Sequence, residues 1–180
     1  MQRSSLHHRT RKIAFGGIIA ALSVIIMMCA GILQVAVFVS PMMAGLILLP
    51  LCDEFGTRHA LTTYLAVSLL SAFMVPDIEA VALFVAFFGY YPIIRRHFER
   101  INPPLVKKAL KFVLFNTAVV GAYSFIINLF GLVALKEELF SVFGVVLLIA
   151  GNFLFYSYDK IIWGLSYVYV NKFRRLIFTN

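Results

Sequence analysis

Long, continuous apolar blocks separated by short polar or charged breaks dominate the sequence. Six such blocks occur, at residues 13–33, 35–51, 60–75, 78–94, 110–135 and 139–158. An α-helix needs about 20 residues to cross a bilayer, and tilt or local thinning accommodates the shorter blocks. A membrane β-barrel would need alternating apolar and polar positions instead. The pattern therefore predicts an all-α integral membrane protein, with six transmembrane helices in one bundle and a single transmembrane domain over residues 1–180.

The composition agrees with this class of protein. Of the 180 residues, 62% are hydrophobic and only 13% are charged, and the mean hydropathy is +0.93. Soluble domains carry about twice that share of charge, so an ordinary soluble domain, a disordered chain and a disulfide scaffold are excluded. A further apolar stretch at 161–170, rich in Tyr and Trp, either extends the sixth helix or lies in the membrane interface, where such side chains are favoured.

The basic residues indicate the orientation of the chain. With six spans, 14 of the 16 Lys and Arg residues fall in the two tails and the second and fourth loops, on one side of the membrane; Lys136 is on the other side, and Lys160 ends the sixth block. The positive-inside rule then places both termini in the cytoplasm of a multi-pass plasma-membrane protein. The net charge of +8 follows from this topology and does not indicate nucleic-acid binding. The first block is longer than the core of a typical signal peptide and is interpreted as a permanent helix.

The two cysteines are predicted to be free thiols. Cys29 falls near the outer end of the first block and Cys52 at the inner end of the second. A bilayer core of about 30 Å separates these levels, whereas a disulfide needs α-carbons within about 7 Å.

Small residues recur four apart at the start of the first block. Gly16 with Ala20 and Gly17 with Ala21 form one small face. In lipid, such a face lets another helix approach closely. The face either packs inside the chain's own bundle or docks a separate membrane subunit.

Two carboxylates lie at the predicted outer turn between the third and fourth blocks. After Pro76, Asp77 can cap the next helix, and Glu79 in its first turn complements the helix dipole. Alternatively, Asp77 and Glu79 line an outward-facing pocket for a cationic or hydrogen-bonding solute.

Polar side chains also occur inside the fifth and sixth blocks. At 1.5 Å per residue, Asn128 lies at the depth of Glu79 and Tyr123 lies past the midplane. These residues could share the outer pocket. Alternatively, they and the two further asparagines, Asn116 and Asn152, only form hydrogen bonds between helices.

Three further features have both structural and functional interpretations. Ser40-Pro41 is expected to interrupt the second helix, which Pro50 ends, and such a break can line a transport site. The basic segment 95–111 either anchors the chain on anionic lipid or contacts a cytoplasmic partner. Asp159 is expected to pair with its neighbour Lys160 at the interface.

Motifs of enzymatic chemistry are missing from the sequence. It contains no P-loop, no His-Glu-x-x-His and no Gly-x-Ser-x-Gly. The four histidines, His7, His8, His59 and His97, do not occur with acids or cysteines at metal-binding spacing. We therefore expect no enzyme, no metal site and no cofactor.

The basic lead-in of Arg11 and Lys12, the small face beginning at Gly16 and the six predicted helices resemble the substrate-binding S components of energy-coupling factor transporters. In that family an Ala-x-x-x-Ala motif of the first helix packs on a transmembrane coupling subunit, which works with ATPase subunits. Here the nearest matches are the two Gly/Ala pairs. The resemblance implies uptake of a small solute, such as a vitamin or another micronutrient, in a pocket at the outer half. It places the substrate-binding residues at Asp77, Glu79, Tyr123 and Asn128.

A second hypothesis is a non-catalytic membrane scaffold of the MreD cell-shape type. Those proteins are also short, apolar chains of five or six helices without catalytic motifs. A solute carrier needs converging polar groups in its outer half, and a scaffold does not.

Overall fold

The structure is a computed structural model that describes residues 2–29, 36–131 and 142–169. Within these ranges the regular structure is helical and no β-strand occurs. The helices are α1 (Gln2–Met28), α2 (Ala36–Ile47), α3 (Leu49–Phe55), α4 (Thr57–Met74), α5 (Ile78–Leu83), α6 (Tyr91–Phe98), α7 (Pro104–Phe130) and α8 (Val142–Val168), with a π-helical turn at Phe84–Phe88. The all-helical prediction is confirmed for this part of the chain.

Five helical segments in the described ranges are long and apolar enough to cross a membrane. They are Thr10–Met28, Val37–Phe55, Ile78–Phe98, Pro104–Phe130 and Gly144–Val168. The predicted third block falls in α4, which is not among them; its first turn carries Arg58 and His59. The multi-pass character is thereby supported, while the count of six spans in one bundle stays a prediction.

The second apolar block breaks at a different place from the one predicted. Helix α2 continues through Pro41, so the expected interruption at Ser40-Pro41 is wrong. The break lies at Leu48, between α2 and α3. Pro50 then stands in the first turn of α3 and does not end a helix. Backbone N–H groups in the first turn of a helix have no intrahelical acceptor, so a proline at that position costs no hydrogen bond.

The last two helices extend beyond their predicted limits. Helix α7 begins at Pro104, six residues before the predicted start at 110, so Lys107 and Lys108 are helical and do not lie in a loop. A proline in the first helical turn is pre-organised for this start. Helix α8 runs to Val168, so residues 161–168 extend the sixth helix. Residues 30–35 and 132–141 lie outside the described ranges. They include Lys136 and one predicted limit of each of four blocks, at 33, 35, 135 and 139.

The chain divides into two compact units, Met1–Ile94 and Arg95–Asn180, each described here by itself. In the first unit, α1 packs against α2 and α4. Met27, Leu48 and Val67 are fully buried between them. The buried Ser23 hydroxyl of α1 donates to the Ala44 carbonyl of α2 at 3.2 Å, which satisfies a polar group inside the apolar core.

In the second unit, aromatic rings hold α7 and α8 together. Phe115 stacks on Phe155 with ring centroids 4.8 Å apart, and Phe112 meets the same ring edge-on at 5.2 Å. Gly151 on α8 lies beside the same aromatic cluster: a β-carbon there would be in ordinary van der Waals contact with the Phe115 ring, at 3.7 Å. Because of these contacts, the residues of α7 next to the aromatic rings lie close to the residues of α8 next to them.

Both cysteines are free, as predicted. Cys29 is exposed and Cys52 is buried.

Candidate functional site

The small face of α1 divides into a buried and an open register. Gly16 and Ala20 are buried, whereas Gly17 and Ala21 are exposed. A β-carbon on Gly16 would lie 3.1 Å from His59 Nε2, but one on Gly17 would have no neighbouring atom within 4 Å. Adjacent residues point about 100° apart on a helix, so only one of the two registers can face α4.

Close approach of α1 and α4 at Gly16 brings a polar contact with it. The His59 Nε2 lies 2.9 Å from the Lys12 carbonyl oxygen. That oxygen can only accept, so Nε2 carries the proton and donates it. The Gly16 and Ala20 register therefore packs within the chain. This agrees with the interpretation of the small face as an internal packing surface. Docking of another subunit on Gly17 and Ala21 stays a prediction.

The turn between α4 and α5 shows how one of the two predicted carboxylates is used. Asp77 is the N-cap of α5, and its Oδ1 accepts the Ala80 N–H at 3.1 Å. Asp77 and Glu79 are both half-buried. Glu79 lies in the first turn of α5, where its charge is favourable to the helix dipole. The capping interpretation of Asp77 is confirmed, and solute binding by this turn stays a prediction.

The other two predicted substrate-binding residues lie on α7. Tyr123 is half-buried and Asn128 is exposed. They belong to the second compact unit, whereas Asp77 and Glu79 belong to the first. A pocket shared by all four residues therefore stays a prediction.

Two asparagines of the second unit bind each other. The amide nitrogen of Asn116 donates to Asn152 Oδ1 at 2.9 Å, and the amide nitrogen of Asn152 donates to Asn116 Oδ1 at 3.0 Å. Each amide also donates to the carbonyl four residues earlier on its own helix, at 2.8 Å. For this pair the expected hydrogen bonding between helices is confirmed.

An ion-pair cluster connects the end of α6 to α7 and α8. Asp159 on α8 accepts from Arg95 Nε at 2.7 Å and from Lys111 Nζ at 3.1 Å. Glu99 accepts from the same Lys111 nitrogen at 2.7 Å and from Lys107 Nζ at 3.0 Å. The expected pairing of Asp159 with its neighbour is wrong, because adjacent side chains on a helix do not face each other.

Lys111 is the central cation of this cluster. Lys111 is only 5% exposed, and a buried ammonium group is stable only when it is paired with an opposite charge. Burial by itself would raise the pKa of the Glu99 carboxyl. Hydrogen bonds from Lys111 and Lys107, with the charges of Lys111 and Arg95, outweigh burial and hold that pKa below its ordinary value. The Glu99 carboxylate is therefore ionised at neutral pH, and together with Asp159 it holds Lys111 in place.

The sequence pattern does not predict this cluster. In the sequence the basic segment 95–111 resembles one charged loop, although Lys111 lies about two turns inside α7, which begins at Pro104. The signal in the sequence is Asp159, the one acidic residue of the predominantly apolar helix α8. A charge at that depth needs a partner of the opposite sign.

The cluster borders an open cleft of about 310 Å³ in the second unit. Lys108 and Lys160 line it together with the cluster. Phe112, Phe155, Tyr156 and Trp163 form its aromatic part. The Lys160 ammonium lies 5.7 Å from the centroid of the Tyr156 ring, within the range of a cation–π interaction.

Comparison with known proteins finds no matching protein-family model, no similar curated protein and no similar solved structure. In the described part of the chain, no group of three or more His, Cys, Asp or Glu side chains is arranged to hold a metal ion.

Proposed function

We propose that this chain is the membrane-embedded, solute-binding subunit of an importer of the energy-coupling factor type. It works with a separate transmembrane coupling subunit and with ATPase subunits. The observation that carries this proposal is the open register of α1, where Gly17 and Ala21 remain exposed after Gly16 and Ala20 have packed inside the chain. Helix association in lipid depends on close van der Waals packing between small residues, and this register provides such a surface.

A matched set of glycine variants tests the docking surface. Gly17→Leu should leave the chain folded and abolish co-purification with the coupling subunit, since the bulky side chain holds the partner helix away. Gly121→Leu on α7 is the control, because a β-carbon there also has no neighbour within 4 Å. Gly16→Leu should instead impair folding, because its side chain would run into His59 and Thr63. Unchanged co-purification of Gly17→Leu would contradict the docking role.

Glu79, Tyr123 and Asn128 are proposed to contribute to solute binding, as the family resemblance implies, with Asp77 in a peripheral role. A hydrogen bond to a charged group contributes roughly 1.5–3 kcal/mol. Glu79→Gln or Asn128→Ala should therefore weaken solute binding about 10- to 100-fold, while Asp77→Ala mainly lowers stability, by about 1 kcal/mol. Uptake and thermal stability are measured on the same variants, with exposed Ser124→Ala on α7 as control.

The orientation proposed for this subunit has six spans and both termini in the cytoplasm of the plasma membrane. It is supported by the strong asymmetry of Lys and Arg along the sequence. In a background without Cys29 and Cys52, cysteines placed at 77 and 137 should react with an impermeant reagent added to intact cells, and one at 102 should not. External labelling at 102 would contradict this topology.

A membrane scaffold of the MreD type is the second candidate. It is favoured by the use of the polar groups that the structure describes: Asp77 caps a helix, and Asn116 and Asn152 satisfy each other. Normal uptake in the Glu79 and Asn128 variants, together with co-purification of cell-wall synthesis proteins, would support the scaffold.

A further inference from the structure

The cleft at the start of α7 carries an excess of positive charge. Five cations and two carboxylates line it. The cations are Arg95, Lys107, Lys108, Lys111 and Lys160. The carboxylates are Glu99 and Asp159. Basic residues therefore outnumber acidic ones by three around a volume of about 310 Å³, which is large enough for a small charged group.

The two carboxylates would not repel an anion strongly, because each of them is already paired with at least two cations of the cluster. Asp159 is held between Arg95 and Lys111, and Glu99 between Lys107 and Lys111. The exposed Lys108 pairs with no carboxylate of the described residues, and the exposed Lys160 rests on an aromatic ring. These two ammonium groups are therefore available to an anion that enters the cleft.

The setting of the cleft favours an anion that belongs to the membrane. Its lining includes Trp163 and Tyr156, both exposed, and these residue types concentrate at the level of lipid headgroups. Apolar side chains of the same helices, Ile161 and Leu110, are also exposed and can contact acyl chains. A soluble anion would use none of these apolar contacts.

We infer that this cleft binds the phosphate group of an anionic phospholipid, with Lys108 and Lys160 as the direct contacts and the ion-pair cluster as their rigid support. Basic pockets between membrane helices recognise such headgroups on the cytoplasmic side. The inference is independent of the proposed import function, with which it shares no residue. It also differs from diffuse anchoring by basic residues, since only side chains that line the cleft take part.

Lipid titration of the full-length protein in a neutral detergent, followed by native mass spectrometry, tests this inference. The probes are phosphatidylglycerol, zwitterionic phosphatidylcholine and inorganic phosphate. The wild type should bind one phosphatidylglycerol in preference to the other two probes. Each basic residue near the surface contributes about 1 kcal/mol, so Lys108→Gln with Lys160→Gln should weaken this binding about 25-fold.

Arg100→Gln is the matched control, because it removes one charge from an exposed residue of the same basic segment that does not line the cleft. This control should change lipid binding less than about twofold, and all variants should keep the thermal stability of the wild type. A comparable loss in Arg100→Gln, or none in the double variant, would overturn the inference. Binding of inorganic phosphate as tight as that of phosphatidylglycerol would overturn the lipid assignment. The same holds if the double variant still binds lipid but no longer binds an acidic protein partner of the wild type.

Discussion

Replacement of Asp159 by Asn would remove the charge that holds two cations against α8. The carboxylate accepts Arg95 Nε at 2.7 Å and Lys111 Nζ at 3.1 and 3.2 Å. The side chains of both cations are largely buried, with 11% and 7% exposure. Asparagine keeps the size of the side chain and one accepting oxygen, but it has no negative charge, and its amide nitrogen only donates and cannot replace the second carboxylate oxygen.

The expected loss of stability follows from this geometry. Breaking a buried ion pair on one side costs about 3–5 kcal/mol, mainly because the remaining charge is left uncompensated. The Asp159 side chain is 22% exposed, and Glu99 still contacts both cations. Both facts favour the lower end of that range, so the free energy of unfolding should fall by about 3 kcal/mol. Glu99→Gln should cost about 1 kcal/mol or less, since that side chain is 38% exposed.

Equilibrium unfolding in mixed micelles with increasing sodium dodecyl sulfate measures these free energies. The double variant Asp159→Asn with Lys111→Met is the decisive comparison. If the loss comes from an uncompensated charge, removing the buried ammonium as well should restore most of the stability. Additive losses in the double variant, or a smaller loss in Asp159→Asn than in Glu99→Gln, would refute this reasoning.

Three further predictions concern contacts within the first unit or within the second. Gly89→Ala should lower the free energy of unfolding by about 1–3 kcal/mol, because a β-carbon there would lie 2.6 Å from the Tyr64 ring. Replacing Asn116 and Asn152 with Leu, singly and together, should give a coupling energy of about 1 kcal/mol in the same unfolding assay. Because the Glu99 pKa lies below its ordinary 4.5, its stabilising contribution should be present above pH 4.5. It should disappear as the pH falls through the lowered folded-state pKa, so wild type and Glu99→Gln should converge in acid.

Each of these predictions has a control. Gly121→Ala should not destabilise, because a β-carbon at Gly121 has no neighbour within 4 Å and alanine favours a helix; an equal loss there would contradict the steric explanation for Gly89. Additive effects of the two asparagine variants would mean that the paired amides contribute no mutual stabilisation. A difference between wild type and Glu99→Gln that grows in acid would show that the sign assigned to Glu99 is wrong.

The sequence by itself determined the class of protein and much of its local structure. Continuous apolar blocks can be stable in a membrane only as helices, because every backbone polar group must be satisfied within the segment. The cap at Asp77 was predictable for a similar reason: a short acceptor directly before a helix can reach the N–H groups of its first turn. The start of α7 and the C-terminal end of α8 were harder to predict, because a helix can continue into or past charged residues once its apolar part is formed.

The tertiary structure alone decided which side chains meet. Sequence adjacency pointed Asp159 to Lys160, whereas helix packing brings it to Arg95 and Lys111, 64 and 48 residues away. In the same way, the spacing of small residues on α1 is identical in both registers, and only packing against α4 makes Gly16 internal and leaves Gly17 open. Spacing along a helix fixes which residues share a face, but it carries no information on which neighbour covers that face. That choice depends on the fit of side chains from distant segments.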